Sequence, residues 1–146
     1  MAKVSGFDVL VLLCLLVAVG PAYAAPQATK GQQASGSVQG TWSGTFFSNY
    51  PDVPSFTITI VITPNGQGHL TGDSTLNSHC LKGAKLDVTV TNSQVVLAGS
   101  DNQGDNLTLR GTLDSTGTML PYIYIMNGSA SGACETDDGT GTLTAQ

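Results

Sequence analysis

Phe56-Thr57-Ile58-Thr59-Ile60-Val61-Ile62-Thr63 alternates large apolar and polar side chains with a period of two, Val61 alone breaking the polar side. Successive side chains of a strand point to opposite faces. This stretch therefore predicts one buried face of Phe56, Ile58, Ile60 and Ile62 and one wet face coated with threonine. Threonine suits the second face because its β-branch favours extended backbone while its hydroxyl meets water.

The same pattern spreads outward in both directions. Trp42, Gly44 and Phe46 alternate with Thr41, Ser43 and Thr45; Leu86, Val88 and Val90 with Asp87, Thr89 and Thr91; Leu107, Leu109, Gly111 and Leu113 with Thr108, Arg110 and Thr112. Between the runs sit Pro64-Asn65-Gly66, Thr91-Asn92-Ser93, Asp101-Asn102-Gln103-Gly104 and Asp114-Ser115-Thr116-Gly117, the Asn, Asp and Gly chemistry of tight turns. Short connections imply antiparallel neighbours in chain order. The reading gives eight strands, at about 40–47, 56–63, 67–76, 85–91, 94–100, 105–113, 118–126 and 132–144, and no helix after residue 25. The expected fold is all-β: an eight-stranded antiparallel up-and-down meander that closes into a barrel, because closure removes the two exposed edges. Glycines recurring within the strands suit the tight curvature. A two-sheet β-sandwich built from the same strands is the alternative.

Upstream, Lys3, the apolar run Val9 to Val19 and Ala22-Tyr23-Ala24 have the layout of a secretory signal peptide cleaved after Ala24. The run is too short to span a bilayer. Residues 1–24 are thus expected to be a signal peptide and the protein secreted or periplasmic, with no membrane span after cleavage. Residues 25–39, APQATKGQQASGSVQ, carry Val38 as their one large apolar residue and read as a flexible linker. Residues 40–146 form the domain. Cys14 leaves with the signal, so Cys80 and Cys134 remain in an oxidising compartment and are expected to pair. The loop they close has about 55 residues, for which chain entropy gives about 4 kcal/mol at most. No Cys-x-x-Cys spacing points to redox work.

The formal net charge is −5 and only 10% of residues are charged, so a phosphate backbone would be repelled and no nucleic-acid partner is expected. Catalytic chemistry is equally sparse. His69 belongs on a wet strand face and His79 in a polar loop, and two histidines without a third ligand do not make a zinc site. No Gly-x-Ser-x-Gly elbow is present. Glu135-Thr136-Asp137-Asp138-Gly139 is the densest acidic cluster, but its spacing is not that of an EF-hand loop and it reads as a solvated loop. Asp101 and Asp105 flank a hairpin and read as turn residues. No catalytic residue, metal site or cofactor follows, and an enzyme is the least favoured class.

One strand breaks the alternation. Met119-Leu120-Pro121-Tyr122-Ile123-Tyr124-Ile125-Met126 is apolar on both faces, with Met119, Ile123 and Ile125 on one and Leu120, Tyr122, Tyr124 and Met126 on the other. A strand with one wet face does not look like this. The tyrosine-bearing face, Leu120, Tyr122, Tyr124 and Met126, is the candidate contact patch, since tyrosine is large, rigid and amphipathic. Pro121 fits an edge or a bulge.

Gly40-Thr41-Trp42 on the first strand of an eight-strand meander resembles the calycin group of lipocalins and avidins. The resemblance implies Trp42 packed across the closed end of a barrel. The chain is also similar to small exported bacterial proteins that open with Gly-x-Trp-x-Gly and end in a Cys-containing Gly/Thr-rich strand, here Ala133-Cys134 and Gly139-Thr140-Gly141-Thr142. It departs from lipocalins, whose late Arg packs over the Trp: Arg110 falls on a wet face. It departs from avidins in having Trp42 alone. The function this implies is an exported, non-enzymatic binding module for a small apolar ligand or a protein partner. A secreted protease inhibitor using residues 25–39 and a structural envelope protein are the alternatives.

Overall fold

The computed structural model describes residues 38–146. The expected signal peptide and residues 25–37 of the expected linker lie outside the described residues. Eight strands follow one another in chain order: β1 (Gly40–Ser48), β2 (Phe56–Pro64), β3 (Leu70–Leu76), β4 (Lys85–Thr91), β5 (Gln94–Ser100), β6 (Asn106–Thr112), β7 (Met119–Asn127) and β8 (Asp137–Ala145). Each pairs antiparallel with the next, and β8 pairs with β1, so the sheet is a closed barrel rather than a sandwich. No helix among the described residues is long and apolar enough to cross a membrane.

The period-two residues line the inside. Phe56, Ile58, Ile60 and Ile62 of β2 are all buried, as are Leu86, Val88 and Val90 of β4 and Leu107 and Leu109 of β6. At the end where the chain enters, Trp42 is buried and its indole N–H donates to the Val38 carbonyl at 2.9 Å. Val38, assigned to the linker, is itself buried and packs with the barrel, while Gln39 is exposed.

Turns at this end are side-chain templated. Asn65 Oδ1 accepts from the N–H groups of Gln67 and His69 at 2.9 and 3.0 Å, which holds the chain in a turn until Leu70 and starts β3 three residues later than its sequence suggests. Asp114 Oδ1 accepts from Thr118 and Met119 at 2.9 and 3.0 Å. The Thr116 hydroxyl, first, and these N–H groups pull the Asp114 carboxyl down to about 2. Asn92 takes φ 56° in the β4–β5 turn, a conformation Asn tolerates.

Longer loops gather at the opposite end, where Cys80 and Cys134 form a disulfide with Cα atoms 5.1 Å apart. It joins the β3–β4 loop to the β7–β8 loop. Asp105 was expected to be turn chemistry and is instead the hub of this end. Its buried carboxylate accepts from the backbone N–H of Ser129 at 2.7 Å, Ala133 at 3.0 Å and Cys134 at 3.2 Å. These bonds, Ser129's above all, hold its carboxyl below the ordinary value against the opposing effect of burial. They also fix residues 129–134 as a loop, which is why β8 begins at Asp137 rather than 132.

Candidate functional site

The lumen is occupied by side chains. Phe46 stacks on Phe56 with ring centroids 4.6 Å apart, and Tyr124 meets Phe46 edge-on at 4.4 Å. Tyr122 lies 5.2 Å from Phe46. Eight strands enclose a space just wide enough for such filling. The register explains how four rings fit. Tyr122 faces Gly141 across the β7–β8 ladder and Tyr124 faces Gly139. A Cβ on Gly141 would sit 2.3 Å from the Tyr122 hydroxyl oxygen, and one on Gly139 would sit 2.8 Å from the Tyr124 ring. Each tyrosine therefore lies over a position that only glycine leaves open.

This placement corrects the sequence reading of β7. Leu120, Tyr122, Tyr124 and Met126 are not a surface patch; all four are at most 4% exposed and point into the barrel. Their hydroxyls are satisfied inside. Tyr122 donates to the Thr45 carbonyl at 3.2 Å and Tyr124 to Asp137 Oδ2 at 2.8 Å. Ser48 donates to the other Asp137 oxygen at 2.5 Å. Asp137, expected in a solvated loop, is thus a buried partner of Tyr124 and Ser48, while Asp138 turns outward and accepts from Asn49 Nδ2 at 2.6 Å. Burial pushes the Tyr122 hydroxyl well above its ordinary value; burial and then the Asp137 carboxylate do the same for Tyr124. His69 and His79 are exposed, and among the described residues no three His, Cys, Asp or Glu are placed to hold a metal.

The feature left for contact is the other face of β7. Met119 is 46% exposed, Ile123 54% and Ile125 43%, and Pro121 is exposed between them. Pro121 is not on an edge, since the barrel has none. The β6–β7 ladder stops at Gly111 and Tyr122, one residue short of it. Ile123 pairs with Thr140, and Thr140 with Phe47, which is 57% exposed, so one row crosses three strands. Shallow open depressions lie on either side of β8 and share Thr140 and Gly141. A third lies at the disulfide end beside Lys82 and Lys85.

The strand's two-sided apolarity signalled a contact, but not which side makes it. The spacing of Gly139 and Gly141, matching that of Tyr124 and Tyr122, was the signal that could have decided.

The solved structure of EF1p2_mFAP2b bound to DFHBI is similar to 78% of this chain and 98% of that protein, at 18% identity and a TM-score of 0.55. Rv2717c from M. tuberculosis aligns with 77% of this chain and 95% of its own, at 16% identity and a TM-score of 0.47. No family model and no curated protein matches the chain. The first likeness is one of fold, and the closed eight-stranded meander is consistent with the calycin-like architecture that Gly40-Thr41-Trp42 suggested.

Proposed function

We propose that this is an exported, non-enzymatic binding module that meets a macromolecule on the outer face of β7, β8 and β1. The observation that carries the reading is the row of Ile123, Thr140 and Phe47, with both apolar members more than half exposed, Ile123 at the centre of β7 and Phe47 near the end of β1. Single exposed apolar residues are ordinary, but Met119, Pro121, Ile123 and Ile125 in series along β7, with Phe47 two strands away, form a patch of the kind that marks a contact surface. Export is the reading of the leader, and a bacterial source is what the resemblance to small exported bacterial proteins implies.

Two things favour an outer surface over a small ligand inside. The lumen is taken up by Trp42, Phe46, Phe56, Tyr122 and Tyr124. Both buried carboxylates, Asp105 and Asp137, are tied to structural hydrogen-bond donors, so neither offers a free acid or base. EF1p2_mFAP2b holds DFHBI, so a small ligand is the competing outcome.

A photo-crosslinking residue at position 123 separates the two. It should attach to one discrete macromolecular species, while the same residue at Val61, 43% exposed on β2, should not. A small molecule retained in the native mass spectrum, with no cross-link from position 123, would overturn the reading.

A further inference from the structure

We propose that the occupant of this face is a second copy of the chain, packed about a two-fold axis that runs along β7. The inference rests on the reading of the β7–β8–β1 face as the contact surface, and it names the partner.

Three observations lead there. The first is shape. Two barrels are convex and touch along a line, and the exposed apolar residues Met119, Pro121, Ile123 and Ile125 lie along one strand. A two-fold axis along β7 stacks this stripe on its own copy, so Ile123 and Ile125 meet Ile123 and Ile125.

The second is charge. Arg110 on β6 stands beside Ile123, and Asp138 on β8 stands beside Ile125. They flank the stripe on opposite sides and differ by one row, about 7 Å along the strand. The proposed axis lays β6 of one copy over β8 of the other, which brings each Arg110 within side-chain reach of Asp138 of the second copy. Symmetry makes that ion pair twice. An axis across the strands would instead lay β6 on β6 and bring the two Arg110 guanidinium groups together. Arg110 has no ion-pair partner among the described residues, where the pair found is Lys85 with Asp73.

The third is clearance on the β8 side. Thr140, Thr142 and Thr144 present short side chains there, so the stripe stands proud of its β8 neighbours.

A line contact buries little area, and the dimer is accordingly weak, with a Kd in the range of roughly micromolar or above. Sedimentation equilibrium and native mass spectrometry of the full exported chain read it directly. The wild type should pass from monomer to dimer as concentration rises. Arg110→Asp and Asp138→Arg should each weaken self-association at least tenfold while keeping the wild-type melting temperature within a few degrees. An equimolar mixture of the two variants should dimerise again, because the mixed dimer then has opposite charges in both inter-copy pairs, one as in the wild type and the other with its charges exchanged.

A chain that stays monomeric at every concentration overturns the inference, as does a dimer that neither substitution weakens or a mixture that does not recover. If the chain is monomeric yet a cross-linker at position 123 captures a different macromolecule, the second-copy inference falls and the contact-face reading stands. If position 123 captures nothing, both fall.

Discussion

β7 has two apolar faces with opposite fates. Leu120, Tyr122, Tyr124 and Met126 are sealed in the barrel, while Met119, Ile123 and Ile125 are about half exposed on its outside. Hydrophobicity alone does not distinguish the two. What does is the neighbouring strand: β8 offers Gly139 and Gly141 to the inner face and Thr140, Thr142 and Thr144 to the outer. The inner face is thus matched in volume to its surroundings and the outer face is not. The difference teaches that a strand's role is set by what its neighbours leave open.

The comparison breaks most visibly at Tyr124. Tyr124→Ala removes a ring packed on Phe46 and Phe56 and strips a donor from Asp137, so it should cost about 3–5 kcal/mol in urea unfolding. A loss under about 1 kcal/mol would mean that the lumen is not tightly filled. Next comes the disulfide: the double variant Cys80→Ser, Cys134→Ser should lose about 2–4 kcal/mol and still fold, because Asp105 holds the β7–β8 loop independently. Gly141→Ala adds a methyl group where Tyr122 and the Thr45 carbonyl already sit, and should destabilise by about 1–3 kcal/mol although alanine is a conservative change. An unchanged melting temperature would contradict the register argument.

Acid should act on the turns and loops rather than on either face of β7. The carboxyls of Asp105 and Asp114 are held below their ordinary values, so the folded state resists their protonation more than the unfolded chain does. Their stabilising contribution is complete above about pH 4 and is lost as pH falls through the folded values, down to about 2 for Asp114. Melting temperatures measured across that window should fall, and Asp114→Asn should flatten part of the slope. The smallest effect belongs to the outer face: Ile123→Thr should shift stability by no more than about 0.5 kcal/mol while abolishing self-association there.

Much of the barrel was legible in the sequence. The period-two runs gave eight antiparallel strands, and Asn65, Asp101 and Asp114 marked hairpins that their side chains do template. The expected loss of Cys14 with a leader singled out Cys80 and Cys134 as the pair, and these two do form a disulfide. The candidate site was legible only by half. An unbroken apolar strand has no internal signal for which parity faces inward, so the sequence reading places the contact patch on the face of Leu120, Tyr122, Tyr124 and Met126. Asp137 and Asp105 were read as surface residues because their partners, Tyr124, Ser48 and the 129–134 backbone, are far away in sequence and come together only when the barrel closes.

The two methionines of β7 allow the central claim to be tested on one strand. Met119 and Met126 lie on opposite faces, 46% and 1% exposed. Mild peroxide oxidation of the folded protein, followed residue by residue by mass spectrometry, reads both at once. The account predicts that Met119 is converted to its sulfoxide while Met126 stays intact until the barrel unfolds, and that Met119 becomes protected when the outer face is occupied. Oxidation of Met126 at a rate comparable to Met119 in the folded protein would show an open lumen and contradict it.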